Sequence, residues 1–489
     1  DDEHDEEHEE EHEEEHEEAH EHSETELANS HLRANTFAGG IGWRNERLTT
    51  RLGYNRFTTR YGVPAGHVHG EDDHEHEDEH EEDHDEHEEE AHEHEHGDVE
   101  IDLEQDRIDW MVRLELETGF FDGLEARAAW SDYKHTEFEG EEVGTTFEKE
   151  AIEGRFEATH SHGDGSRGVW GVHAWHEDFE AIGAEAFVPP SETVQLAVFG
   201  FEDIQLSDSW SLEVGARLEH QDIEVDGDAP DYDGTAFSAS AGLLHHWRDS
   251  GWTAALYLHR TERLPTATEL FADGPHAATR AFEIGDPGLD KEVATGIEAS
   301  LRKRSGRITG NVSLYYNNYH DYISLEPTDM EEDGLDVFTF RAREAAFYGG
   351  EAEVIFHLLE DARNVLDLTL GGDYVRARDT DRDVNLPRIP PWSLRADLRH
   401  RTAATEFGLT VTHTGEQTKT APLEEPTDSY TLVSADAAYK LPLRDNLDLS
   451  IFASLENIFD ETARNHVSFT KEEVPLAGRH VQTGLRLSF

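Results

Sequence analysis

The chain has 489 residues, 36% of them apolar, with 111 acidic against 40 basic side chains and a net charge of -71. That surplus argues against nucleic acid or anionic lipid as a partner and makes cations the natural ligands. Cysteine is absent, which excludes a disulfide framework and a thiolate metal site, and no apolar run reaches the roughly 18 residues of a helical membrane span.

Residues 1–26 are almost wholly Glu, Asp and His, and 71–96 repeat that composition. Neither block can bury a core, so both are expected to be solvated segments without order of their own. The chain opens on Asp1 with no Met and no basic or apolar leader, which reads as a processed product or a fragment. His4, His8, His12, His16 and His20 recur every four residues, with His22 following, so a helical conformation would set neighbouring imidazoles on one face. His67 and His69 lead into a second set: His74, His76, His80, His84, His87, His92, His94 and His96. Imidazole and carboxylate without sulfur suit zinc, with copper(II) and nickel(II) as competitors, whereas carboxylates alone would suit calcium or magnesium.

From about residue 98 the pattern changes to alternating segments. Trp210, Leu212, Val214, Ala216 and Leu218 point one way and Ser211, Glu213, Gly215, Arg217 and Glu219 the other, which is a strand with one apolar and one wet face. Leu447 to Leu455 repeats the alternation, and Val481, Thr483, Leu485, Leu487 and Phe489 carry it to the last residue. A spanning β-strand needs only alternate apolar residues, so the polar composition is no obstacle to a membrane barrel.

Roughly 19 such strands follow one another, joined by links that alternate short and long, as periplasmic turns and external loops do in outer-membrane barrels. The long links are expected at 61–98, 136–144, 181–192, 226–233, 263–290, 326–336, 379–389, 415–429 and 459–477. Trp43, Trp170, Trp210, Trp247 and Trp252 fall near short turns, where an interfacial aromatic girdle belongs. His173, His176, His245 and His246 fall within strands and read as lining a wet lumen or a strand face. No nucleophile elbow or zinc-protease helix motif is present, so the chain is not read as an enzyme.

Arg263-Leu264-Pro265-Thr266-Ala267-Thr268-Glu269-Leu270-Phe271, then Gly285-Asp286-Pro287-Gly288-Leu289-Asp290 and Thr295-Gly296-Ile297-Glu298, resemble an external loop and following strand of TonB-dependent outer-membrane receptors. Leu455-Glu456-Asn457-Ile458-Phe459-Asp460 and Pro475-Leu476-Ala477-Gly478-Arg479 resemble that family's closing segment, with Pro-Leu-Ala-Gly-Arg in place of the commoner Pro-Xaa-Pro-Gly-Arg. The resemblance covers roughly 29–489 and implies an all-β transmembrane antiparallel barrel with about 19 of 22 strands present and the N-terminal plug domain lacking. The domains are then an acidic His-rich external loop at 1–28 and a barrel at 29–489, with 62–98 a second His-rich external loop. It also implies outer-membrane lipid as surroundings, energy coupling to the TonB complex through the plug, and a monomer.

The His-rich loops, with Leu270-Phe271-Ala272-Asp273-Gly274-Pro275-His276 and Phe282-Glu283-Ile284-Gly285-Asp286-Pro287, resemble the zinc-importing branch. Zn2+ is thus the expected cargo, held weakly in the loops and more tightly at a deeper site for which His276 and Glu283 are the candidates. Haem receptors carry a similar loop with a ligand histidine where His276 stands, so haem or siderophore import is the alternative. A passive outer-membrane barrel or cation-binding surface protein is the other.

Overall fold

The computed structural model describes residues 27–64 and 99–489, apart from 118, 141, 164, 184–185, 228, 277–278 and 333. The two acidic blocks, and with them every candidate histidine from His4 to His96, lie outside the described residues.

The chain advances by antiparallel hairpins. β1 (Leu32–Arg44), β2 (Leu48–Val63), β3 (Val99–Glu115), β4 (Gly123–Glu139) and β5 (Glu142–Ser161) are followed by β6 (Arg167–Gly183), β7 (Ser191–Gln205), β8 (Trp210–Val225), β9 (Tyr232–Trp247) and β10 (Trp252–Arg263). A long connection then holds α1 (Ala267–Phe271), β11 (Asp273–His276) and β12 (Ala281–Ile284) before β13 (Glu292–Lys303), β14 (Ile308–Glu332), β15 (Leu335–Glu360) and β16 (Asn364–Asp379). β17 (Val384–Asn385), β18 (Ser393–Thr402), β19 (Thr405–Thr414), β20 (Tyr430–Arg444), β21 (Leu447–Glu456) and β22 (His480–Ser488) complete the order. Of these 22 strands, all but the short β11, β12 and β17 form one antiparallel meander of nineteen, whose outer edges are β1 and β22. Among the described residues no helix is long and apolar enough to cross a membrane.

Short and long connections alternate as expected, with two corrections. The loops expected at 136–144 and 326–336 are instead tight turns at the ends of lengthened strands: β4 and β5 zip together to Glu139↔Glu142, and β14 and β15 to Glu332↔Leu335. Beyond the bilayer neither face of a strand has to be apolar, so the polar sequence that reads as a loop still pairs its backbone groups in a ladder. Bulges at Thr136/Phe138, Tyr319/Tyr322 and Pro327/Glu331 absorb the irregular sequence there.

The lipid face follows from the register. Val194, Leu196 and Val198 on β7, Leu256 and Leu258 on β10, Phe407, Leu409 and Val411 on β19, and Leu485 and Leu487 on β22 are all exposed at a spacing of two. Trp43, Trp170, Trp210 and Trp247 are exposed on strand ends beside the short turns, in line with the girdle reading, whereas Trp252, also on a strand end, is half-buried with Lys303 over its ring. The opposite face carries charge in local pairs, such as Arg107–Asp109 at 2.9 Å and Arg155–Glu157 at 2.6 Å, so it is the wet lumen. Buried apolar clusters gather at the long-loop end: Ile223, Leu270, Phe271, Leu289 and Ile323 form one, and Phe147, Ala181, Phe187, Val188 and Ala272 another.

Candidate metal and substrate site

The connection from β10 to β13 is held at its root by one arginine. Arg263 reaches Glu292 at 2.6 Å and Glu269 at 2.8 and 2.9 Å, and Thr266 and Glu269 form a reciprocal capping box that starts α1. α1 drives Leu270, which is fully buried, and Phe271 between Ile223 and Ile323. Gly285 then passes so close to α1 that a Cβ there would lie 2.7 Å from the Leu270 carbonyl carbon. Only glycine allows that approach without displacing backbone.

β11 and β12 form a small hairpin pinned at both sides. The Asp273 N–H donates to the Phe187 carbonyl at 2.7 Å, while β12 adds in parallel to β15 from Ala281↔Asp336 to Ile284↔Thr339. The part of β15 that outruns β16 supplies that edge, since β15 pairs with β16 only from Ala345 onward. The loop therefore runs between the β6–β7 connection and the far end of β15, against the inside of the intervening strands.

This hairpin brings the two sequence candidates together. His276 Nδ1 lies 2.9 Å from Glu283 Oε1, the Thr279 hydroxyl donates to the same oxygen at 2.9 Å, and the Phe187 ring stacks on the imidazole at 4.5 Å between centroids. Glu283 is 4% exposed, and its other electrostatic neighbour is the Arg388 guanidinium. With Nδ1 engaged by a carboxylate, the imidazole is oriented to offer Nε2 to an incoming ligand, as in carboxylate–histidine–metal arrangements. His276 and Glu283 supply two donors. Among the described residues they do not form part of a group of three.

Beside this pair, three further connections interlock through charges that the sequence did not single out. Glu424 accepts from the backbone N–H of Arg388 at 2.7 Å and of Ala421 at 2.9 Å, with His466 Nε2 at 3.2 Å and Lys471 Nζ at 3.4 Å. Burial works to raise the Glu424 pKa, but the His466 and backbone hydrogen bonds and the Lys471 charge outweigh it and hold it down to about 2. Burial pulls Arg388 below the usual arginine value, opposed by Glu424, and its guanidinium sits 4.4 Å from the Phe469 ring centroid. Arg280 pairs with Glu473, tying the β10–β13 connection to the last loop. Some arginines near the hairpin are matched by carboxylates, as Arg343 is by Glu326 at 2.7 Å and Arg382 by Asp379 at 2.7 Å, whereas the Arg388 guanidinium donates to the Leu325 carbonyl at 2.7 Å and that of Arg341 to the Thr339 hydroxyl at 2.9 Å.

Three histidine–carboxylate groups have all their donor atoms within 4.8 Å: His176 with Asp178 and Glu192, His220 with Asp222 and Asp233, and His320 with Asp321 and Glu344. Of the histidines read as lumen or strand-face residues, His173 meets Glu153 at 2.9 Å on the wet face. His246 lies 3.3 Å from the Ser211 hydroxyl and 3.1 Å from that of Thr253, while His176 and His245 share the face of the exposed apolar residues, His245 between Trp210 and Trp247.

The model of the family described as TonB dependent receptor-like, beta-barrel, matches residues 15–458. Among solved structures, one described as the copper transporter OprC aligns with a TM-score of 0.74 at 16% identity, covering 94% of this chain and 72% of that one. The FrpB iron transporter from Neisseria meningitidis (F3-3 variant) aligns at 0.68 and 13% identity over 94% and 72%. A mutant ferric enterobactin receptor, PfeA, from Pseudomonas aeruginosa aligns at 0.66 and 14% identity over 95% and 71%. At such identities the likeness is one of fold.

Proposed function

The chain belongs to the TonB-dependent receptor β-barrel family, a group of Gram-negative outer-membrane transporters coupled to TonB rather than enzymes, and from that premise we propose that its cargo is a divalent metal ion, zinc first. The observation that carries this reading is the Glu/His block between β2 and β3, whose flanking strand ends open at the same end of the barrel as the His276–Glu283 hairpin. That block would act as a low-affinity antenna: many weak chelates at a negative rim raise encounter and rebinding near the mouth. His276, oriented by Glu283, would then belong to the tighter site, with further donors still to be found.

Uptake of labelled zinc by cells carrying the gene, with and without the proton-motive force, tests the reading; energy-independent uptake would sink it. Deleting 71–96 is expected to slow uptake at scarce zinc and leave the saturating rate nearly intact, and zinc binding by that segment is expected to fail below about pH 5.5 as imidazoles protonate. Haem import is the second reading, favoured by an imidazole with Nε2 outward beside the Phe187 ring. It requires a Soret shift with haemin that is lost in His276→Ala.

A further inference from the structure

The net charge of the whole chain speaks against an anionic surface as partner, but that sum hides where the basic residues stand. Residues 302–307 read Arg-Lys-Arg-Ser-Gly-Arg, so four of six are cations in a chain that has 40 in 489. They span the end of β13 and its turn into β14, at the short-turn end of the wall, and the β9–β10 turn beside them adds Arg248. The two turns touch: the Arg304 N–H donates to the Gly251 carbonyl at 3.0 Å, and a Cβ on Gly251 would lie 2.2 Å from the Ser305 hydroxyl oxygen. Arg302, opposite Thr253, falls on the lumen face. Among the described residues, Arg248, Lys303, Arg304 and Arg307 make no ion pair and no side-chain hydrogen bond. The acids nearby do not neutralise them. Asp361 on the next turn accepts the backbone N–H groups of Arg363 at 2.8 Å and Asn364 at 2.9 Å, while Asp249 and Glu360 lie beyond ion-pair distance. Four cations gathered without compensation repel one another, and an anion from outside relieves that repulsion.

The register fixes the depth of this patch in the membrane. Trp247 of β9 stands directly opposite Trp252 of β10, and Trp252 opposite Lys303 of β13, whose Nζ lies 5.4 Å from the centre of the Trp252 ring. The row closes the apolar belt: Leu243, Leu256 and Leu301 are exposed on the same face further along the three strands. Indoles mark the membrane interface, and a lysine stem packed on one carries its ammonium to the headgroup level. Arg248, Arg304 and Arg307 are exposed just beyond it. Short turns face the periplasm in outer-membrane barrels, so the lipid that meets this row is the phospholipid of the inner leaflet. The surface points away from the lumen, at the opposite end of the barrel from the His276–Glu283 hairpin.

We propose that the touching β9–β10 and β13–β14 turns bind an anionic phospholipid of the periplasmic leaflet, its phosphate held by Arg248, Lys303, Arg304 and Arg307 and its acyl chains lying along Leu243, Leu256 and Leu301. Guanidinium groups take phosphate oxygens in pairs, and the Lys303 ammonium adds a point charge at the edge of the belt. The headgroup decides which phospholipid is held. An ethanolamine headgroup brings an ammonium that the four cations repel, so the lipid is neutral overall and gains little. A glycerol headgroup leaves the phosphate charge uncompensated, and the attraction of the patch then acts in full. The long-loop end keeps its acid for cations, while the turn end holds a local excess of the opposite sign.

The test is the protein reconstituted in phosphatidylethanolamine vesicles that hold a minor share of phosphatidylglycerol, with the lipids retained through detergent extraction counted by native mass spectrometry. Phosphatidylglycerol is expected to be enriched over its share in the vesicle by at least about fivefold, and to lose that enrichment in R248Q/K303Q/R304Q/R307Q. Raising the salt to about 1 M, where the screening length is about 3 Å, is expected to remove the enrichment in the parent, a result that needs no variant to fold. Phosphatidylglycerol with brominated acyl chains is expected to quench tryptophan emission more than brominated phosphatidylethanolamine at the same share, and the excess is expected to vanish in W247F/W252F. Lipids retained in vesicle proportion by the parent would overturn the proposal and leave the turns to a soluble anionic partner. Enrichment that survives the fourfold substitution, or excess quenching that survives W247F/W252F, would overturn it as well.

Discussion

The two faces of the β3–β8 wall handle the same excess of acid in opposite ways. On the lumen face the carboxylates have cationic partners a step away: Arg107 on Asp109, Arg155 on Glu157, and Lys149 reaching Glu177 at 2.8 Å. Move one residue along the same strands and Glu150 and Asp178 confront each other across the sheet with no lysine or arginine within ion-pair distance among the described residues. Because a strand has period two, one residue exchanges lumen for surroundings, so neighbouring acids in sequence serve different media. Matched charge ties the wall and its folded loops together, whereas opposed like charges on the outward face work against the sheet.

That contrast makes the inward side the stabilising one, and its largest test is apolar. Leu270→Ala empties a fully buried site under the β10–β13 connection and is expected to cost about 3 kcal/mol locally. Hydrogen exchange should show 264–291 opening while β18–β22 stay protected; equal loss everywhere would mean that the loop is part of the barrel's cooperative unit.

A smaller effect, of about 2 kcal/mol, is expected for Glu424→Gln, which removes the charge that His466, Lys471 and two backbone N–H groups address. The pH dependence has a definite sign. The Glu424 carboxyl ionises at about 2 in the folded loops against about 4.3 in an unfolded chain, so its stabilisation is complete above the unfolded value and is lost as pH falls through about 2. Loop protection should therefore persist at pH 5, below the pH at which the proposed zinc capture by the histidine blocks is expected to fail, and decay between about pH 4 and 2. Coincident loss of both would assign the loop order to protonation of the histidines instead of Glu424.

The smallest effect has the opposite sign. Glu150→Gln or Asp178→Asn is expected to stabilise the barrel by about 0.5 kcal/mol each, by removing like charges from directly opposed positions. Destabilisation by either would show that the row already finds compensation within the chain and would blunt the contrast between the faces.

Alternation along Trp210–Leu218 and Leu447–Leu455, and the short-long rhythm of the links, were enough to establish an outer-membrane barrel of nineteen successive strands, because a lipid-facing wall imposes its period on every strand. The motif around Arg263 to Asp290 likewise marked the connection that carries His276 and Glu283. Sequence misread 136–144 and 326–336, where pairing continues without an apolar face to advertise it. Nor could it supply Phe187 on His276, Arg388 and His466 around Glu424, or Glu150 opposite Asp178. Those groupings join residues far apart in the chain. Their juxtaposition depends on how far each hairpin slides past the next, a register that the summed packing of the whole wall decides and no local pattern encodes.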